Sequence, residues 1–316
     1  MSLKTPLLFL VYNRPEITKK VFSRIKKSKP EKLYIAADGP KSNEDKLNTD
    51  KTRDIFNNID WNCNLKKLYN NENLGCRKSV KNSIDWFFQN EERGIILEDD
   101  CLPNATAFIF FEKLLKKYSN SKKIMHISGV NYLKGSLKID SSYYYSAIAN
   151  INGWATWRES WNGYDDIYRD LPTFEKKNMI KNFFSDKITQ KFWIEVYRRN
   201  YHNEDTSWSW PYLFSIMNRG GMAISPAVNL ISNIGYGANS VHTKNSRDRF
   251  ANMSTFTIKP PFISPKKFEL NKRADSLTNR NFYRITLLNY GVKLILKKLK
   301  LFYFFKKIKK SFIVKN

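Results

Sequence analysis

The first 120 residues alternate short apolar runs with single segments of helical spacing, and this alternation constrains the fold more than any other feature. The clearest runs cover residues 6–12, 32–37 and 95–97, which are lengths typical of buried strands. Apolar residues recur at helical spacing between and after them, for example over 16–27 and 105–118. Strands separated by single helices predict right-handed βαβ units, and therefore an α/β fold with a mainly parallel sheet flanked by helices.

The remaining elements are predicted from the same signals. Further strands are expected at 65–69, 124–128, 143–145 and within 223–232, further helices at 46–57, around 80–88, at 192–201 and at 208–217, and an aromatic turn leading into a helix at 153–158.

Polar residues follow three of the predicted strands at their carboxyl ends. Asn13-Arg14 ends the first strand, Asp38-Gly39 ends the second, and Glu98-Asp99-Asp100 ends the strand at 95–97. Ligands of open parallel sheets bind beyond the carboxyl ends of the strands. The sequence therefore predicts that these three clusters converge on one site.

Of the three clusters, the acidic triplet 98–100 indicates most about what the site could bind. Adjacent carboxylates at a buried strand end repel one another and lose hydration, and a compensating cation relieves both penalties. Oxygen ligands suit Mg²⁺ or Mn²⁺, which in turn bind phosphate oxygens. A solvated acidic turn is the alternative interpretation of the same three residues.

Composition excludes several classes of protein. The 316 residues are 41% hydrophobic and 15% aromatic, which is enough for a large core and too apolar for a disordered chain. Cysteines 63, 76 and 101 show no CxxC spacing and are expected to be reduced thiols rather than a zinc site or a disulfide framework. The N-terminus lacks a secretory pattern, and no apolar run reaches the 18 residues of a typical membrane span.

The net charge of +26 is concentrated toward the C-terminus and predicts an anionic partner. Residues 246–316 hold 18 lysines and arginines against three acids, and residues 285–316 hold nine lysines and no acid. Val292, Ile295 and Leu299 repeat at helical spacing with lysines on the opposite side. We expect this basic tail to form an amphipathic helix on an anionic membrane surface. Packing against the rest of the chain or a partner is the alternative.

Six segments together resemble the nucleotide-sugar-dependent glycosyltransferases of the GT-A fold. The resemblance is closest to bacterial family-2-like transferases of surface polysaccharide assembly and more distant to N-acetylglucosaminyltransferase I, and it covers roughly residues 5–245. The segments are LFLVYNRPE (8–16), AADGP (36–40), NENLGCRKS (71–79), IILEDDC (95–101), GWATWR (153–158) and NLISNIGYGANSVHT (229–243).

The resemblance implies a role for each cluster. It implies a GT-A, Rossmann-like catalytic domain over 1–245, followed by the basic extension 246–316. The residues that it places on the nucleotide-sugar are Asn13, Arg14, Asp38, Asn73, Gly75, Arg77, Lys78, Glu98 and Asp99. For Asp38 a plain turn, and for Arg77 and Lys78 a solvated helix face, are the alternatives.

The resemblance also implies a metal site and a catalytic base. Asp100 resembles the ligand of a DXD-like motif for Mn²⁺ or Mg²⁺, and His242 would close over the diphosphate near that metal. Asp205, with Glu204 second, lies where the base acid precedes a tryptophan, although serines 207 and 209 depart from the family pattern. Trp154, Trp157, Trp208 and Trp210 are candidates for stacking on sugars, or else for the core.

The expected function is therefore metal-dependent transfer of a sugar, with inversion favoured, from a nucleotide-sugar (UDP-sugar favoured) to a growing or lipid-linked surface glycan. The expected location is the cytoplasm, peripheral on the inner face of the cytoplasmic membrane, and no nucleic-acid partner is expected. One alternative is a sugar nucleotidyltransferase, although that class uses a glycine-rich phosphate loop where this chain has Tyr12-Asn13-Arg14. The other is a basic membrane- or nucleic-acid-binding protein without enzymatic activity, which leaves the acidic triplet unexplained.

Overall fold

A computed structural model describes residues 2–202, 207–237 and 248–292. The strands are β1 Leu7–Val11, β2 Lys32–Ala37, β3 Asn64–Tyr69, β4 Arg93–Glu98, β5 Cys101–Pro103, β6 Ile124–Ser128, β7 Tyr143–Ser146, β8 Trp154–Trp157, β9 Met222–Pro226 and β10 Ile231–Asn233. The helices are α1 Pro15–Ser28, α2 Asn43–Asp54, α3 Cys76–Asn90, α4 Ala105–Lys117, α5 Arg158–Trp161, α6 Leu171–Lys176, α7 Lys187–Tyr201, α8 Ser209–Asn218 and α9 Lys272–Asn281. A 3₁₀ turn covers Met179–Asn182 and a π-helical turn covers Leu287–Gly291.

Eight of the strands form one sheet in the order β3-β2-β1-β4-β8-β6-β9-β7. The first four are parallel, whereas β8 runs antiparallel between β4 and β6, and β7 runs antiparallel beside β9. The remaining two, β5 and β10, form a separate antiparallel pair. The predicted α/β class with helices around a mainly parallel sheet is confirmed, and the second half of the sheet is partly antiparallel.

The turn predicted at 153–158 is wrong, whereas the helix that it leads into is present. Trp154–Trp157 is the fully buried strand β8, and the short helix α5 follows it. Its register places Trp154 beside Ile96 and Ser128, so β8 joins the two halves of the sheet. A glycine followed by aromatic residues is typical of a turn, and only contacts with strands that are distant in the chain make this segment a strand.

The sheet is apolar on both faces, which explains the near-continuous hydrophobic runs of its first strands. Successive side chains of β1 alternate between the two cores: Leu7 and Phe9 pack with α1 and α4, and Leu8 packs with α3 on the other face. Aromatic residues fill much of this second core, in which Trp154, Trp161 and Tyr212 are in mutual ring contact.

The described part of the basic extension, residues 248–292, packs against the rest of the protein. Leu270 bridges to Tyr145 of β7, and the buried carboxylate of Asp275 accepts hydrogen bonds from the Ser146 hydroxyl at 2.5 Å and the Ala147 amide at 2.9 Å. Within the described residues the extension therefore contacts β7, and the predicted boundary at residue 245 stays a prediction. The predicted amphipathic helix lies almost wholly in residues 293–316, outside the described residues.

No helix within the described ranges combines the length and the apolar character needed to cross a bilayer.

Candidate active site

A cavity of about 650 Å³ opens at the carboxyl ends of β1, β2 and β4. Its lining includes three of the predicted clusters, Asn13-Arg14, Asp38 and Glu98–Asp100, together with Asn73 and Gly75. The order of the strands reverses at β1, between β2 and β4, which is the position where open α/β sheets bind ligands. The predicted convergence of these clusters is thus present in the structure.

Arg14 forms an ion pair with both aspartates that follow β4. Its Nε donates to Asp99 Oδ2 at 3.2 Å, and its Nη2 contacts Asp99 Oδ1 and donates to Asp100 Oδ2 at 3.1 Å. The side chain of Asp99 is 5% exposed and that of Asp100 is 17% exposed. The cation that the acidic triplet requires is thus supplied, in this structure, by the chain itself.

Burial opposes ionisation of two of these acids. Desolvation is the largest effect on the pKa of Glu98 and raises it above the usual range, and the charges of Asp100 and Asp99 raise it further. Desolvation also raises the pKa of Asp99, while the charge and hydrogen bonds of Arg14 act in the opposite direction. Arg14 therefore favours the charged form of the aspartate that it holds.

The loop after β10 lies directly against this ion pair through Gly235. A Cβ on Gly235 would lie 2.3 Å from Asp100 Oδ2 and 2.8 Å from Arg14 Nη1, so a side chain here requires the pair to move. The Ile234 amide also donates to the Asp100 carbonyl oxygen at 2.9 Å and fixes the start of the loop. Close approach to Asp100 and Arg14 thus requires glycine at position 235.

Asp38 connects the end of β2 to the loop before α3. Its carboxylate accepts hydrogen bonds of 2.9–3.2 Å from five donors: the amides of Gly39, Leu74 and Gly75 and the side chains of Asn70 and Asn73. Two carboxylate oxygens offer about four lone-pair sites, so this carboxylate has no free acceptor site for a ligand. The geometry indicates that Asp38 positions the loop, and its contact with the nucleotide-sugar stays a prediction.

The loop held by Asp38 forms the start of α3. Gly75 lies at φ +78°, a conformation that favours glycine, and its carbonyl oxygen accepts from the Ser79 amide at 2.9 Å. Asn73 also donates to the Gly39 carbonyl oxygen at 2.8 Å. In the neighbouring loop, the side chain of Asn13 donates to Asp45 of α2, and so does the Tyr12 hydroxyl.

The first turns of α3 face the cavity with one side only. Cys76, Ser79, Val80 and Ser83 line it at the spacing of one helical face. Arg77 and Lys78 lie off this face: Arg77 donates to the Asp166 carbonyl oxygen at 2.7 Å, and Lys78 is exposed. Neither is among the residues that line the cavity, so their predicted contact with the nucleotide-sugar does not fit this geometry.

Aromatic residues form another part of the cavity lining. Trp208 and Trp210 contribute from the start of α8, and Phe282 and Tyr283 contribute from the C-terminal segment. Phe282 stacks on Tyr132, with ring centroids 3.8 Å apart. Aromatic faces of this kind can pack against sugar rings.

The other predicted tryptophans belong to the core. Trp154 and Trp157 are buried and are absent from the cavity lining, so the core interpretation holds for both. Glu204, Asp205 and His242 lie outside the described residues. Ser207, two residues after Asp205, lines the cavity.

The carboxylates of Asp99 and Asp100 provide part of a binding site for a divalent ion. Arg14 Nη2 contacts one oxygen of each aspartate, which is a position suited to a cation. Within residues 2–202, 207–237 and 248–292, no three His, Cys, Asp or Glu side chains are grouped to hold a metal. Mg²⁺ is commonly held by one or two carboxylates and completed by substrate phosphates, and the donor set here suits that mode.

Comparisons with known proteins reach only distant solved structures. No family model matches this chain, and no curated protein matches it. HddC from Yersinia pseudotuberculosis is 13% identical over 51% of this chain and 80% of its own, with a TM-score of 0.33. A CMP:2-keto-3-deoxy-manno-octonic acid synthetase complexed with CTP is 8% identical over 70% of this chain and 89% of its own, with a TM-score of 0.36.

A third similar structure is a 4-diphosphocytidyl-2C-methyl-D-erythritol synthase from Anaerococcus prevotii. It is 13% identical over 55% of this chain and 84% of its own, with a TM-score of 0.32. With TM-scores below 0.5, these similarities decide nothing about the reaction that this chain performs.

Sequence reasoning missed two contributions to the site. Gly235 lies within the segment 229–243 that carries part of the resemblance, and its spacing from Asp100 gives no signal of contact. The wall formed by Phe282 and Tyr283 was also missed, because these residues follow α9 in a segment that basic composition marks as an extension. An apolar aromatic pair within that basic segment was the available signal.

Proposed function

We propose that this protein is an enzyme that transfers a sugar from a nucleotide-sugar donor to a glycan acceptor. The observation that supports the proposal is one cavity that is lined both by charged residues, Arg14 and the aspartates, and by aromatic residues of α8 and the C-terminal segment. Its volume of about 650 Å³ falls within the usual range of ligand pockets. Such a lining suits a diphosphate beside the charged residues and sugar rings against the aromatic residues.

In this proposal Arg14 and the aspartates receive the diphosphate of the donor. The guanidinium of Arg14 offers a planar fork of donors that suits phosphate oxygens. The loop from Asn73 to Gly75, held by Asp38, presents backbone to the nucleotide. A Mn²⁺ or Mg²⁺ ion held by Asp100, with Asp99 beside it, would offset the charge that develops on the departing diphosphate.

In this proposal the aromatic residues of the cavity contact the acceptor glycan. Trp208 and Trp210 follow the segment that contains Glu204 and Asp205, and we propose Asp205, with Glu204 second, as the base that takes the proton of the acceptor hydroxyl. Deprotonation of that hydroxyl as it attacks the anomeric carbon leads to inversion of configuration. We propose that His242 closes over the diphosphate.

Sugar nucleotidyl transfer is the second candidate. The names of the similar structures, two of which refer to cytidyl nucleotides, lie nearer to this reaction than to glycosyl transfer. The sequence of the loop between β1 and α1 disfavours nucleotidyl transfer. It holds Tyr12-Asn13-Arg14 and then Pro15 at the first turn of the helix, and it lacks the glycines that let backbone amides surround a triphosphate.

The products of the reaction distinguish the two candidates. Purified protein is incubated with Mn²⁺ and either UDP-sugars or nucleoside triphosphates plus sugar phosphates. Release of UDP from a UDP-sugar, lost in Asp100→Ala and in Asp205→Ala, supports glycosyl transfer. Release of pyrophosphate from a nucleoside triphosphate supports nucleotidyl transfer, and binding of neither class of nucleotide refutes both.

We also propose that the basic C-terminal tail holds the enzyme on the cytoplasmic face of an anionic membrane, where a lipid-linked acceptor would lie. Nine lysines without an acid over residues 285–316 support this proposal. Leu287 and Leu288, at the start of this tail, are 72% and 83% exposed and offer apolar contact to the interface.

A further inference from the structure

We propose that Arg14 is an internal counter-ion that keeps a divalent metal out of the acidic site until a nucleoside diphosphate binds. The inference rests on the proposed function, because it concerns how the same site takes up its metal and its nucleotide. Metal and nucleotide would then bind together, and Arg14 would prevent the metal from binding by itself.

The first step of the argument is the position of the guanidinium. Arg14 Nη2 contacts Asp99 Oδ1 and donates to Asp100 Oδ2, while Nε donates to Asp99 Oδ2 at 3.2 Å. Three of the four oxygens of the two aspartates are therefore engaged by one side chain. A divalent ion that coordinated the same oxygens would meet a positive charge at contact distance, and the two cations would repel one another.

The second step is the limited space around the pair. Gly235 approaches so closely that even a Cβ would overlap Asp100 Oδ2 and crowd Arg14 Nη1. The Arg14 side chain is itself 23% exposed, so it is not enclosed on every side. Its backbone is fixed between β1 and α1, where its carbonyl oxygen accepts from the Thr18 amide at 2.9 Å.

The third step is what a nucleoside diphosphate would change. Its phosphate oxygens can replace the carboxylates as partners of Arg14, because a guanidinium binds both groups through the same pair of N–H donors. Release of Asp100 then gives the metal a carboxylate, and the phosphates supply the ligands that the described residues do not group together. Each of the two ligands therefore raises the affinity for the other.

The experiment measures Mn²⁺ binding by the loss of the free-ion electron paramagnetic resonance signal, with and without UDP. We expect wild-type protein to bind Mn²⁺ weakly alone and at least about tenfold more tightly with UDP. We expect Arg14→Gln to bind Mn²⁺ alone about tenfold more tightly than wild type, because the competing cation is gone. Arg24→Gln is the matched control, since Arg24 is an exposed arginine on α1, and it should behave as wild type.

The outcomes separate this inference from the proposed function. Tight Mn²⁺ binding by wild-type protein without UDP, unchanged in Arg14→Gln, overturns the inference while leaving nucleotide binding intact. Absence of UDP binding under all conditions refutes the proposed function, whereas a gain of Mn²⁺ affinity in Arg14→Gln would still support the counter-ion role. If Arg14→Gln fails to fold, Arg14→Lys is the second variant. Its single ammonium bridges the two carboxylates less well, so an intermediate gain is expected and no gain overturns the inference.

Discussion

Asp38→Asn tests whether this carboxylate positions the loop before α3. The wild-type carboxylate accepts three hydrogen bonds at Oδ1, from the amides of Gly39 and Leu74 and from the side chain of Asn70, and two at Oδ2, from the Gly75 amide and the side chain of Asn73. An asparagine keeps one acceptor oxygen and turns an NH₂ group toward donors on its other side. Whichever way it faces, a backbone amide loses its acceptor.

The magnitude follows from these contacts. A buried amide left without an acceptor costs about 1–3 kcal/mol, and loss of the charge on the remaining hydrogen bonds adds about 1 kcal/mol. We expect a total of about 3 kcal/mol. The entropy of unfolding of about 2.1 cal/mol/K per residue, over 316 residues, then converts this loss into a decrease in Tm of about 5 °C.

The assay is differential scanning calorimetry at neutral pH, together with a UDP titration. We expect Asp38→Asn to lower both the Tm and the affinity for UDP, because Gly75 and Asn73 are no longer held. Asp140→Asn is the control, since the Asp140 side chain is 89% exposed, and a change within about 0.5 kcal/mol is expected there. A Tm of Asp38→Asn within about 1 °C of wild type would contradict the positioning role.

Three further predictions concern other parts of the molecule. Burial raises the pKa of Asp275 to about 7, above its unfolded value near 4, so its contribution to stability is present below about pH 4 and is lost as the pH rises through 7. At about 1.4 kcal/mol per pKa unit, this loss of folding stability reaches about 4 kcal/mol. Urea unfolding measured across this pH range should show that Asp275→Asn removes the loss, and equal pH profiles for the two proteins contradict the prediction. Gly235→Ala should weaken UDP binding in the presence of Mn²⁺ about tenfold by calorimetric titration, because its Cβ displaces Asp100; unchanged affinity contradicts the close contact. Truncation after Val292 should abolish sedimentation with anionic vesicles and leave turnover of soluble acceptors intact, and unchanged sedimentation removes the membrane proposal. Truncation at Ile285 should in addition lower the Tm, because Ile285 and Tyr290 are buried.

The parallel half of the sheet could be predicted from the sequence because its signals are local. The runs that form β1 and β2 are apolar on both faces, and polar residues mark their ends, so strand bounds and cluster positions follow from the pattern. The convergence of Arg14, Asp38 and the acidic triplet then follows from the topology alone.

The remaining parts of the site depend on contacts that no local pattern encodes. The strand β8 is defined by its pairing with β4 and β6, and the pattern of Trp154–Trp157 by itself is equally typical of a turn. The pairing of Arg14 with the aspartates is also non-local, because 85 residues separate Arg14 from Asp99. The positions of Arg77 and Lys78, in contrast, could have been predicted, since Cys76 and Ser79 lie on the helical face that meets the cavity and residues 77 and 78 do not.

Charge balance at the carboxyl end of β4 connects the proposed chemistry with the counter-ion role of Arg14. The nucleotide-sugar brings two negative charges to a place where two aspartates already share one guanidinium, so its entry without a cation adds repulsion. A divalent ion alone adds two positive charges beside Arg14. When both enter together the net charge of the site does not change, and Arg14 and the aspartates exchange partners without any charge losing its counter-charge. A buried ion pair at this position is therefore consistent with a site that is stable when empty and that admits metal and diphosphate together.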